Sequence, residues 1–152
     1  MALPNVFQPG VIQGLQRRIQ LLSLDSPSNW GKMNASQMLA HLNVMFELAL
    51  EDKHPRPNAI VRFLLKTFVK EGIVNETPYK KNSRTAPQMV ITHQPDFGLE
   101  KERLVNFLGQ VEALGAAAFE LRPHPSFGPL TTTEWSNTFY KHIDHHLQQF
   151  GL

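Results

Sequence analysis

The chain has 152 residues, 41% of them apolar, a formal net charge of +2 and no cysteine. That length supports one sizeable core and a single domain over residues 1–152. The small net charge lacks the basic excess of a nucleic-acid binder, and the missing cysteine excludes disulfides, thiolate ligands and a cysteine nucleophile. The N-terminal MALPNVFQPG carries neither a basic cluster nor a long apolar run. The expectation is a cytoplasmic protein without signal peptide or transmembrane helix, acting on a small-molecule substrate with no membrane or nucleic-acid partner.

Ile12, Leu15, Ile19 and Leu22 recur at helical steps after Pro9 and Gly10, which predicts a first helix. SLDSPSNWG breaks it. Asn34 followed by Gln37 has capping-box spacing and opens a second helix that runs through ASQMLAHLNVMFELALED to about Asp52. After the breaker KHPRPN, the stretch AIVRFLLKTFVK is apolar on most sides and predicts a short buried helix. Residues 71–98 lack periodicity and contain Pro78, Pro87 and Pro95, so they form a long crossover that either spans the molecule or carries function. Within it QMVITH reads at most as a short extended piece.

Periodicity returns from Leu99 to Leu114 through Leu104, Leu108 and Val111. After the turn region RPHPSFGPL, Thr131 and Glu134 have the spacing of a second capping box, and a last helix runs to Gln149 and stops at Gly151. The predicted fold class is all-α: a four-helix bundle with a long crossover between the second and third main helices and an extra short helix.

Three of the seven histidines lie at His142, His145 and His146. With about 100° per residue, His142 and His146 fall within about 40° of each other on the apolar stripe shared by Trp135, Phe139 and Ile143, whereas His145 falls at the polar edge. Histidines at i and i+4 on an inward face can chelate one ion, since their side chains leave the helix on the same side about one turn apart. The second helix offers a third candidate, His41, on the apolar stripe of Met38, Met45 and Leu48. On spacing alone the trio is either a metal site with an open coordination position or a set of core histidines bonded to carbonyls. His54 and His93 read as solvated loop residues, and His124 as a turn residue between prolines. Glu47 lies about 120° from His41 and is poorly placed as a base.

The segments NWGKMNASQMLAHL (29–42) and HPSFGPLTTTEWSNTFYKHIDHHLQQFG (124–151) resemble the DinB-like superfamily of metal-binding four-helix bundles, in particular a branch with W-G-K-M and H-P-x-F-G motifs. The resemblance implies a divalent ion held by one histidine of the second helix and the HxxxH pair of the last, which here are His41, His142 and His146. Members of that superfamily include metal-dependent transferases and isomerases that use low-molecular-weight thiols, and hydrolase-like activities have been proposed; fold alone does not choose among them. Trp30 and Phe127, inside the two motifs, are expected to pack over the end of the bundle.

The leading expectation is a metal-dependent enzyme in which the ion activates a small thiol for transfer to an electrophile. A chain without cysteine leaves the thiol to come from outside. The alternatives are a metal-dependent hydrolase and a metal- or small-molecule-binding bundle without turnover. Zinc is the expected metal and nickel the second, with affinity falling below about pH 6.5 as free imidazoles protonate. Eight of the fifteen Lys and Arg residues lie between Lys53 and Arg84, against only Glu71 and Glu76. Lys80, Lys81 and Arg84 in the crossover are therefore candidates for orienting an anionic thiol, or simply a solvated loop. The apolar AIVRFLLKTFVK either covers a second copy, giving a homodimer, or caps its own core.

Overall fold

The computed structural model describes residues 1–152. It is mostly helical, with 56% of residues in helix, six α-helices and one two-stranded sheet. No helix is long and apolar enough to cross a membrane.

Helix α1 (Val11–Leu21) starts after Gly10, whose φ of 86° suits a residue without a Cβ. It buries Ile12, Leu15 and Ile19, one stripe at helical spacing. Helix α2 (Ala35–Leu50) opens with the expected capping box: the Asn34 side chain accepts from the Gln37 N–H while the Gln37 side chain accepts from the Asn34 N–H. Thirteen of its residues are buried, which makes α2 the most enclosed element of the fold. Helix α5 (Phe97–Leu114) is capped by Asp96, and α6 (Thr132–Gln149) by the Thr131–Glu134 box. Contacts run α2 to α5, α5 to α1, α1 to α6 and α6 to α2, so the four long helices close a ring around the core.

At its centre Phe46 of α2 lies stacked between Phe107 of α5, 5.5 Å away, and Phe139 of α6, 5.1 Å away. Trp135 and Phe119 extend this layer toward the start of α6, and both are fully buried. Offset aromatic pairs add about 0.5–1.5 kcal/mol each beyond the area they bury, so this stack ties three helices together.

The connections differ from the expected pattern in three places. The region 122–130 is a hairpin and not a plain turn: β1 (Arg122–His124) pairs antiparallel with β2 (Gly128–Leu130). Strands of three residues are too short to show an alternation in sequence. In the crossover QMVITH begins inside the 3₁₀ turn Pro87–Met89 and is extended at Val90, without pairing into a sheet. Finally, α3 (Ala59–Phe68) is a helix but not a buried one; it buries no residue, and Leu65 alone is partly covered. An all-round apolar sequence fits an enclosed helix and an unpartnered one equally well, and no long helix of this fold packs along α3. The short α4 (Lys70–Val74) follows and contacts α6.

His124 is buried at the end of β1, its ring stacked 4.4 Å from Phe127 and 5.5 Å from Trp135. Trp135 precedes His142 by about two helical turns, about 10 Å along the axis, and His124 is not part of the histidine group of α2 and α6. Its Nδ1 accepts from the Ser126 N–H at 3.1 Å, and burial pushes its pKa down to about 4. The unfolded imidazole titrates near 6.5, so the neutral buried ring contributes stability that is complete above about pH 6.5 and is lost as pH falls toward about 4. In chelator-containing buffer, the unfolding free energy from urea titrations should decline with acidification across that window. His124→Asn keeps an acceptor for Ser126 and should reduce the slope by about 1.4 kcal/mol per pH unit; an unchanged slope would place the titration elsewhere.

Candidate metal centre

His41 projects from the middle of α2 toward α6, where His142 and His146 leave the facing surface one turn apart. The three ring centroids form a nearly equilateral triangle with sides of 4.7, 4.8 and 4.9 Å. One nitrogen of each ring lies within 4.8 Å of the other two. Three imidazoles around a tetrahedral ion at about 2.0–2.1 Å stand about 3.3 Å apart, so the pocket has the scale of one ion.

The opposite nitrogens decide the tautomers. His41 Nδ1 faces the Met89 carbonyl at 2.9 Å, and a carbonyl only accepts, so this Nδ1 carries the proton. His146 Nδ1 lies 2.7 Å from Gln149 Oε1. The amide is held that way round because its Nε2 donates to the Trp30 carbonyl at 2.7 Å. His142 Nδ1 meets the Met45 thioether at 3.3 Å, a weak acceptor. His41 and His146 are thus protonated on Nδ1, while the thioether is too weak an acceptor to fix the His142 tautomer. His41 Nε2 and His142 Nε2 stand 2.8 Å apart, a hydrogen-bond distance, so without a metal His142 donates its Nε2 proton to the bare His41 nitrogen, and a cation bound between them would release that proton.

An additional proton is a poor choice for that cation. Desolvation lowers the pKa of His41, and lowers that of His142 well below the ordinary value with His41 and His146 adding repulsion. Desolvation together with His41 brings His146 to about 3. Neutral nitrogen donors in a desolvated cluster suit a divalent metal, and three of them leave a coordination position open.

The rim is aromatic. His145 is half-buried, not solvated: its ring lies 5.0 Å from His146, 5.8 Å from Trp30 and 5.7 Å from Tyr79. It stands outside the group of three. Tyr79, raised by burial and therefore a neutral phenol, also edges His142 at 6.0 Å. Lys141 holds this wall in place, its ammonium 4.6 Å from the Tyr79 ring and bonded to the Gly72 and Asn75 carbonyls.

Of the three crossover cations, Lys81 reaches the rim, its Nζ 4.3 Å from the Trp30 ring, and its charge lowers the His145 pKa behind desolvation. Lys80 and Arg84 are exposed and make no ion pair. His93 is exposed as expected. His54 is not solvated but bonded to Glu47 at 2.6 Å. Glu47 is buried in a separate network with Lys53, His54 and Arg103, which hold its carboxyl below the usual range against the cost of burial.

The partner roles of Gln149, Met89, Met45 and Tyr79 escaped the sequence reading. Gln149 follows His146 by three residues and was legible as a helical neighbour. The Met89 contact runs through a backbone carbonyl and has no side-chain signature. The WG pair acquires a reason here: Gly31 has φ 78°, and a Cβ on it would lie 2.5 Å from Gln149 Nε2. Only glycine lets the loop approach closely enough for the Trp30 carbonyl to orient that amide.

A family model described as "Protein of unknown function (DUF1569)" matches residues 13–151. No curated protein and no solved structure matches the chain.

Protein purified without chelator should carry close to one divalent ion per chain. His41→Ala, His142→Ala and His146→Ala should each strip most of it, while His145→Ala retains it, as read by elemental analysis. Because burial has already lowered the three imidazoles, occupancy should persist below the pH of about 6.5 expected for free histidine; loss near that pH would mean that the folded site is solvated. Gln149→Leu and Gly31→Ala should each weaken metal affinity by about 10–100-fold, the usual scale for removing a partner that orients a ligand. Competition with a chromogenic chelator measures this.

Proposed function

The chain belongs to the DUF1569 family of proteins of unknown function, and we propose that it is a metal-dependent enzyme of the DinB-like type that transfers a small thiol to an electrophile. On this reading the ring of α1, α2, α5 and α6 is a four-helix bundle with its metal site between facing helices. The observation that carries the proposal is the donor set: three imidazoles from two helices, one nitrogen of each within 4.8 Å of the others, two of them oriented through Nδ1 by a carbonyl and an amide oxygen. Zinc is the metal we assign, with nickel second, because imidazole suits both.

A divalent ion at this place supplies Lewis acidity, lowering the pKa of a thiol or water at its open position. The chain's own residues do the rest. His41, His142 and His146 hold a fixed geometry that needs no reorganisation when substrate arrives. Trp30 and Tyr79 wall the entrance with apolar surface. Lys81, beside Trp30, is placed to pair with a carboxylate of an incoming thiol. The chain has no cysteine, so the thiol is a separate molecule.

Hydrolysis of a bound substrate is the second reading, and it calls for a carboxylate or other base beside the attacking water. The group of three contains no carboxylate. Glu47, the buried acid of α2, is already bonded to Lys53, His54 and Arg103. These facts favour the thiol.

A cobalt-substituted sample should change its visible spectrum on addition of a millimolar carboxylate-bearing thiol. Lys81→Ala should weaken that binding several-fold at unchanged metal content, with Lys80→Ala and Arg84→Ala having little effect. Absence of any spectral or calorimetric response to thiols would remove the transferase reading and leave the hydrolase or a binding protein.

A further inference from the structure

Helix α3 stands on the surface with its apolar side chains facing water. Ile60 is 74% exposed, Phe63 67% and Phe68 77%, with Leu64 and Val61 exposed beside them. Isolated apolar residues on a surface need no explanation, but five on one ten-residue helix form a continuous patch. Taking Ala59 as zero on a helical wheel, Phe63, Ile60, Leu64, Phe68 and Val61 occupy a sector from about 40° to about 200°. Arg62 and Lys66 follow at about 300° and 340°. Both are exposed and neither forms an ion pair, whereas nearby Lys53 and Lys70 are paired with Glu47 and Glu134. The outward face therefore has a wide apolar centre and one free basic edge.

A second copy of the chain fits this face poorly. A partner helix covers a stripe of about 100°, narrower than the sector of about 160°, so pairing would leave Phe63 or Val61 in water. Five such side chains offer on the order of 500 Å², less than the roughly 800 Å² per partner of a stable dimer. Two-fold pairing would also bring Arg62 and Lys66 near their own copies, in a segment with eight basic residues and only Glu71 and Glu76. An anionic bilayer surface meets every feature. Its fluid interior surrounds a wide apolar sector, its headgroups pair with the basic edge, and the Arg and Lys stems are long enough to reach them.

We propose that α3 docks the protein on anionic lipid surfaces, lying in the interface with Phe63, Ile60, Leu64 and Phe68 inserted and Arg62 and Lys66 at the headgroups. Such a helix rests on the membrane and does not span it, in keeping with the lack of any spanning helix. It replaces the sequence-based expectation of no membrane partner, and it stands whether or not the centre turns over a thiol.

The test is sedimentation of the full chain with vesicles of phosphatidylcholine alone and of phosphatidylcholine mixed with phosphatidylglycerol, together with analytical ultracentrifugation without lipid. The expected result is a monomer that pellets with the mixed vesicles, at least ten-fold more than with the neutral ones, and is released by salt. The double variant Phe63→Ser with Phe68→Ser, and separately Arg62→Glu with Lys66→Glu, should each lower the bound fraction at least ten-fold. Both should keep wild-type helicity and metal content, because these side chains are exposed and none belongs to the histidine group. No binding to mixed vesicles, equal binding to neutral ones, or binding that survives the Phe63 and Phe68 changes would overturn the proposal. So would a stable dimer that those changes dissociate, which would assign the face to a second copy.

Discussion

Three imidazole rings with centroids 4.7–4.9 Å apart inside a desolvated helix interface, two of them fixed through Nδ1 to a carbonyl and an amide oxygen, are the constraint around which much of this molecule is arranged. Such a cluster is unfavourable by itself, because like partial charges face one another and burial opposes the proton that would relieve them. The surroundings have to hold it in place. Helix α2, enclosed on nearly every side, carries His41, and the Phe46 stack locks α2 against α5 and α6. The crossover brings the Met89 carbonyl to the back of His41, so a segment without periodicity contributes through its backbone.

The loop before α2 and the end of α6 form the other half of this support. Asn29 N–H donates to the Gln149 carbonyl, the Gln149 amide donates to the Trp30 carbonyl, and Gly31 makes room for both strands of chain to pass. A short motif near the N-terminus thereby orients a histidine more than a hundred residues later. The same loop sets Trp30 against His145 and under Lys81, so the residue that orients His146 and those that flank His145 share one piece of backbone.

Two of the buried polar groupings differ in kind. At the histidine centre the groups are neutral and the open valence points to a cation. Along α2 and α5, Arg103 bridges Glu47 and Glu100, Lys53 supplies the second positive charge at Glu47, and Asn43 donates to Glu100, leaving Asn43 Oδ1 without a partner. Proximity of acids and a histidine along the chain is therefore a poor guide to chemistry here: Glu47 and His54 form a closed pair, whereas His41 and His146 meet across more than a hundred residues.

What the amino-acid sequence determined by itself were the features governed by local physics. The capping boxes at Asn34 and Thr131 mark helix starts because one side chain and one N–H three residues on suffice to form them. The 3.6-residue period put His41, His142 and His146 on inward faces, and the meeting of those faces required only that α2 and α6 pack together. Tertiary structure decided the rest. The tautomers depend on a carbonyl of the crossover and on an amide turned by the Trp30 loop, contacts that no periodicity encodes. The hairpin at 122–130 is too short to leave a pattern, and its His124 owes its burial to Trp135 and Phe127. Most of all, the sequence of α3 specified an apolar helix without saying what would cover it, because hydrophobicity drives burial but carries no address; only the packing of the other helices left that face open to water.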